Sequence, residues 1–244
     1  MTTERTCGDL EAARLYDVLN PWGAGDTFYL GHVMDAGAVL DVGCGTGMIL
    51  KRARAEGHTG RLVGLDPDPA MLTVARGCDA CTWYEGKAAD ITWDGEFDLA
   101  IMSGNAFQCL ITDEEILASL SAIRRSLLPG GVFLFDTRNP AAQAWLDWDV
   151  MPAIEVVDPA GREVAVDYDV LEVADGVVTL TENTSDSDGT ILRRDRAHLR
   201  FVEPGALNGL LTSVGFEIAA RYGSWDRSPF EPSDPLVVTV ARSR

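Results

Sequence analysis

No run of apolar residues in this sequence approaches the roughly 18 needed to cross a bilayer. Its opening, MTTERTCGDLEAARLY, also lacks the basic-then-apolar order of a secretory leader. The expected compartment is the cytoplasm. Basic residues are scarce, 20 Lys and Arg against 38 Asp and Glu, for a formal net charge of −18. A surface of that sign repels phosphate backbones and anionic membranes, so neither nucleic acid nor a lipid surface is expected as a partner. The basic stretch ILRRDRAHLR, Ile191 to Arg200, is too mixed to reverse this. Cysteines number five, which excludes a fully paired disulfide framework. Cys78 and Cys81 form a CxxC, but no second pair or histidine follows at zinc spacing, so no metal is expected. The motif leads into TWYEGKAAD rather than opening a helix after a strand, and both residues read as ordinary thiols. Internal repeats and low-complexity tracts are absent.

What is present is a rhythm. AVLDVG, RLVGLD, FDLAIMS and VFLFDT are continuous apolar runs whose carboxyl ends carry acids and small residues. Helical patterns (TGMILKRARAEG, PAMLTVARG and DEEILASLSAIRRSLLPGG) separate them, with a short strand in TWYEGKAAD. Such alternation predicts an α/β fold, a parallel sheet covered on both faces, with its ligand outside the carboxyl ends of the strands. Ahead of it, Asp9 to Leu30 reads as two cap helices, about 9–32, broken at NPWGAG. After Pro140 the apolar period becomes two (Val164, Val166, Tyr168, Val170). One Pro-Ala-Gly and two Asp-Gly turns there predict antiparallel hairpins. The expected organisation is a core of residues 1–150 and 203–244 with a β insertion at 151–202.

VLDVGCGTG, Val39 to Gly47, is a nucleotide-type glycine loop. It lacks the third glycine of a dinucleotide fingerprint, since Met48 stands there, and no Gly-Lys-Ser/Thr follows to make a P-loop. LDVGCGTG, VGLDPDPAML, GKAADI and FDLAIMSGNAFQCL, followed by LLPGGVFLFD, VGFEI and a final strand, resemble the consecutive motifs of class I S-adenosylmethionine-dependent methyltransferases. The resemblance covers roughly 30–150 and 203–242. It implies a Rossmann-like seven-stranded sheet, mostly parallel with the last strand antiparallel, and an inserted antiparallel β lid.

It implies roles as well. Asp66 would accept from the ribose hydroxyls of S-adenosylmethionine, with Pro67 and Met71 beside it, the other reading of Asp66 being a helix cap. Asp90 would take the adenine amino group, with Ala89 and Ile91 lining the ring. Gly43, Cys44 and Gly45 would pass close to the cofactor, and Ser103 and Gly104 would face its methionine moiety. Asp41 would orient the loop or meet the amino group. Tyr16, on a cap helix, is placed near the sulfonium, which suits an aromatic face, and is also a catalytic candidate; Trp22 and Tyr29 read as core. The product would be S-adenosylhomocysteine.

The acceptor side is less defined. Strand four carries SGNAF rather than an Asp/Asn-Pro-Pro-Tyr/Phe signature, which lowers the case for amide and exocyclic-amine acceptors. Asn105, Gln108, Arg138, Trp145, Tyr222 and Trp225 are the substrate-binding candidates, with Asn139 and Trp148 near the same mouth. Of the three histidines, His58 sits in a turn and is expected in solvent, and His32, after the second helix, is placed near the mouth. His198, in the last strand of the insertion and beside Tyr222 and Trp225, is the catalytic base candidate. A small-molecule acceptor with an O, N or C nucleophile is expected, in a monomer or homodimer. A dimerisation sheet is the other reading of the insertion. A non-catalytic cofactor-binding module and an NAD(P)-linked oxidoreductase remain open at this point.

Overall fold

The computed structural model describes residues 8–244; Cys7 lies outside them. α1 (Asp9–Leu19) and α2 (Ala24–Met34) come first, the latter running past the expected end and taking His32 into the helix. Then follow β1 (Ala38–Val42), α3 (Met48–Ala55), β2 (Arg61–Asp66), α4 (Pro69–Ala75), β3 (Thr82–Glu85), β4 (Phe97–Met102), α5 (Asp113–Ser126) and β5 (Leu127–Arg138). After the one-turn α6 (Trp145–Trp148) come β6 (Ile154–Val157), β7 (Glu163–Ala174), β8 (Val177–Asp186) and β9 (Ile191–Arg200), then α7 (Pro204–Ser213), β10 (Phe216–Tyr222) and β11 (Leu236–Ser243).

Seven strands form one sheet in the order β10-β11-β5-β4-β1-β2-β3. Six run parallel, and β11 is antiparallel to both of its neighbours. This is the expected Rossmann-like arrangement. Successive residues of a strand face opposite sides, so β1 sends Leu40 and Val42 into a core with α5 and α7, and Val39 into another with α2 and α3. A column of rings, Phe107, Phe135, Phe133 and Phe216, fills the first core at centroid spacings of 4.7, 4.6 and 5.7 Å. Truncating one such ring to alanine costs about 3–5 kcal/mol.

The helices start where their sequences say. Asp68 caps α4 by accepting from the Ala70 N–H at 2.7 Å, with Pro69 at the first helical position. Thr112 and Glu115 close a reciprocal cap on α5, and Arg124 and Arg125 sit in its last turn. The period-two segment folds as a separate four-stranded antiparallel sheet, β6-β7-β8-β9. Val164 and Val166 pack against Leu15 and Leu19 of α1. Val178 and Leu180 pack against Trp145, Trp148 and Phe201. The apolar face of this second sheet is thus closed from within the chain, by α1 and α6.

Candidate cofactor and acceptor site

At the carboxyl end of β1 the chain turns tightly. The Gly43 and Cys44 N–H groups donate to Leu65 O of the neighbouring strand at 2.7 and 3.1 Å. Gly45 has φ +53° and open space where a side chain would start. Gly47, at φ +77°, lies so close to the Trp83 ring that a Cβ would meet it at 2.3 Å; only glycine serves here. Asp66, ending β2, accepts from the Gly45 N–H at 2.7 Å and the Asp68 N–H at 2.9 Å, one on each oxygen. Each oxygen retains capacity for a second donor. Since Asp68 is the cap of α4, Asp66 is left to the loop and the cleft.

Asp41 is fully buried, and its Oδ1 meets no donor. Burial, and then the nearby Asp66 carboxylate, push its carboxyl up to about 8. A buried carboxylate without a donor costs free energy unless a partner arrives. With the open space at Gly45 and the spare acceptors of Asp66, these residues fit a ligand that carries an ammonium group and vicinal hydroxyls.

α1 crosses above this loop. Thr46 Oγ1 donates to Asp17 at 2.5 Å, and the Tyr16 hydroxyl lies 3.8 Å from where a Gly104 Cβ would stand. Burial, followed by Asp17 and Asp26, holds the Tyr16 phenol above its ordinary range, so at neutral pH it is a donor and not a base. After β4, Ser103 leads into Gly104 and Asn105, both left-handed at φ +63° and +61°. The Asn105 N–H donates to Asp136 Oδ2 at 3.0 Å, Tyr29 Oη donates to Asp136 Oδ1 at 2.6 Å, and Asn105 Oδ1 is buried without a partner. Burial raises Asp136 to about 6, against the pull of Tyr29 and the Asn105 amide. Sequence reasoning passed over Asp136 and this use of Tyr29, although VFLFD stops at an acid just as VLD and GLD do.

On the acceptor side, Gln108 is fully buried. Its Nε2 donates to Arg200 O at 3.2 Å and its Oε1 accepts from Arg138 Nη1 at 2.9 Å. Gln108 therefore positions Arg138, whose guanidinium lies over Trp148 at 5.2 Å, while Trp145 meets Phe201 edge-on at 4.7 Å. Tyr168 packs with both the α1 and the α6 clusters, and its cross-strand partner Glu182 shares that inward face. Burial, then Asp195, raises the Glu182 carboxyl; burial, then Glu182, pushes Tyr168 up to about 12. Neither Tyr168 nor Glu182 was singled out from sequence.

Other expected residues are not brought together. His198 stands on the opposite face of the second sheet, its Nδ1 3.0 Å from Thr179 Oγ1, while Ala197 and Leu199 pack inward. Tyr222 and Trp225 pack on Phe28 of α2 at 6.3 and 5.6 Å rather than beside His198. His32 lies edge-on to Phe28 at 5.0 Å, with its Nε2 buried and unpaired. His58 is buried, not solvated, because its Nε2 reaches Ala36 O at 2.8 Å. Ala89 and Asp90 are exposed on a short turn after β3, where Asp90 accepts from the Lys87 N–H at 3.1 Å. Ile91 is buried in the core, Pro67 is exposed and Met71 half-buried. Among the described residues no cluster of three or more His, Cys, Asp or Glu could hold a metal, and no helix is long and apolar enough to cross a membrane.

Residues 39–131 match the model of a methyltransferase domain. The chain is 34% identical over 163 residues to a cypemycin N-terminal methyltransferase of a Streptomyces species, covering 64% of each chain. It is 30% identical over 121 residues to a dTDP-3-amino-3,4,6-trideoxy-alpha-D-glucopyranose N,N-dimethyltransferase of Streptomyces venezuelae, covering 48% of this chain and 50% of that one. The matched stretch thus spans less than two thirds of either relative. An S-adenosylmethionine-dependent methyltransferase of Clostridium acetobutylicum superposes with a TM-score of 0.75 at 15% identity, over 95% of this chain and 97% of that one. CalS10, an amino pentose methyltransferase of Micromonospora echinaspora solved with S-adenosylmethionine bound, gives 0.70 at 23%, over 94% and 97%. Residues 39–131 are thus similar to a methyltransferase domain, and the two solved structures, both under 25% identical, share the overall fold of this chain.

Proposed function

We propose that this chain transfers a methyl group from S-adenosylmethionine to an amine nitrogen of a small molecule. The observation that carries the cofactor half is the buried carboxyl group of Asp41, its Oδ1 without a donor, behind an open glycine loop. Asp41 would take the amino group of the methionine moiety, Asp66 the ribose hydroxyls, and the exposed Asp90 the adenine amino group. The cofactor supplies an already activated methyl group on a sulfonium. The protein's share is alignment and exclusion of water, which supplies roughly 7–11 kcal/mol. Supporting a nitrogen acceptor are the acids around Tyr16 (Asp17, Asp26 and Asp66) and the inward Glu182, a field that draws a cationic amine. Relatives named for N-terminal and N,N-dimethyl transfer support it as well. We assign Glu182, raised by burial, to accept the amine's proton. Arg138, Trp145 and Trp148 line the approach, and the second sheet acts as the lid.

The test is direct. Calorimetry should give heat with S-adenosylhomocysteine and none with NADH; the reverse would sink the cofactor reading. A mass-shift screen of small amines and alcohols with S-adenosylmethionine should add methyl groups to amines. Methylation confined to alcohols would refute the nitrogen assignment, and bound cofactor with no turnover on any acceptor would favour a non-catalytic module.

A further inference from the structure

Cys78 and Cys81, read from sequence as ordinary thiols, face each other with their sulfurs 4.0 Å apart. Cys81 is buried, its sulfur 3.7 Å from Leu50 O in α3, while Cys78 is half-exposed in the turn after α4. The pair is tied to the glycine loop. Trp83 Nε1 donates to Cys78 O at 3.0 Å, and the same indole lies against Gly47, Gly64 and Cys44. Added Cβ atoms at Gly47 and Gly64 would meet its ring at 2.3 and 2.5 Å, so the ring has no slack on that side.

We propose that Cys78 and Cys81 are a thiol–disulfide modification site, closed by small disulfides of the glutathione type, whose closure disturbs the glycine loop through Trp83. Cys78, the accessible partner, attacks as thiolate on one sulfur of the reagent and expels one reagent thiolate. Cys81 then loses its proton and attacks the Cys78 sulfur of the mixed disulfide, expelling the second reagent thiol. Two protein thiols are oxidised and one reagent disulfide is reduced to two thiols. The sulfurs must come from 4.0 Å to about 2.05 Å. That movement carries Cys78 O, the acceptor holding the indole in place, and the ring meets backbone at Gly47 and Gly64.

The protein is titrated with mixtures of oxidised and reduced glutathione. Intact mass and peptide mapping report the bond, and calorimetry reports S-adenosylhomocysteine affinity. We expect loss of two hydrogens, a Cys78–Cys81 linked peptide, and affinity reduced about 2- to 30-fold, restored by dithiothreitol. Cys78→Ser should abolish both changes while leaving the affinity of the reduced protein unaltered. A stable glutathione adduct on Cys78, or oxidation at Cys109 alone, would overturn the site. A linked peptide with unchanged affinity would overturn the coupling. The affinity readout rests on the proposed cofactor. If the reduced protein binds no S-adenosylhomocysteine, that reading fails on its own, and the linked peptide with its tryptophan fluorescence change still decides the site.

Discussion

Asp41 holds its proton in the folded chain up to about pH 8, whereas an unfolded aspartate loses it near 3.9. The folded state binds the extra proton across that window. Stability is therefore complete below about pH 4 and declines as pH rises towards 8. At about 1.4 kcal/mol per pH unit the bound is about 6 kcal/mol, and a few kcal/mol is expected after relaxation. Urea unfolding at pH 5 and pH 8 should show Asp41→Asn losing less than the parent and exceeding it by about 2 kcal/mol at pH 8. Equal pH dependence would mean that Asp41 is already ionised. Asp66→Ala, which removes the spare acceptors at the end of β2, should weaken S-adenosylhomocysteine binding about 30- to 1000-fold; unchanged calorimetry would take it out of the site. Glu182→Gln should lower turnover about 100-fold while S-adenosylhomocysteine affinity stays put, and unaltered kcat would free Glu182 of the proton. These residues were unequally legible. Asp41 and Asp66 announced themselves as acids ending apolar runs, and Asp136 gave the same signal unheeded. His198 alternates with Arg194 and Arg196 on the wet period of its strand, so its outward face was readable. The burial of His58 was not, because its partner Ala36 O comes from another element.

At the scale of elements, α1 is shared between the two sheets. Leu15 and Leu19 are seated on Val164 and Val166, and the neighbouring Tyr16 and Asp17 reach Gly104 and Thr46. Replacing residues 153–202 by a short Gly-Ser loop should abolish methyl transfer. It should also weaken S-adenosylhomocysteine binding, by about 3- to 10-fold, since α1 loses the surface that orders it. Transfer that persisted, with only the oligomeric state changed, would make the second sheet a dimer interface. The strands and turns of both sheets were visible in apolar period and Asp-Gly punctuation, because those signals are local. What covers the second sheet was not, since α1 and α6 reach it by long-range packing that no spacing encodes. The same holds for Tyr222 and Trp225, whose true neighbour is α2.

For the whole molecule the net charge of −18 sets the sign of the salt response. Exposed pairs such as Arg52–Glu56, Arg61–Glu96 and Arg244–Glu217 are each worth about 0–1 kcal/mol and are screened as well. Relief of repulsion among 38 acids should win. Raising NaCl from about 0.02 to 0.3 M should lift the melting midpoint by about 2–5 °C; a fall would mean that attraction dominates. Strand order has a consequence of another kind, for biosynthesis. β11 lies between β5 and β10 yet is translated after both. While the ribosome is still reading the codons of β10, β5 has an open edge of unpaired backbone and β10 has no neighbour to join. The half of the sheet around the glycine loop can assemble early, but the far half waits for the segment from Leu236 to Ser243. A nascent chain stalled before that segment exposes an adhesive strand edge, so this protein's need for a chaperone is greatest in the interval after β10 has emerged and before β11 follows it.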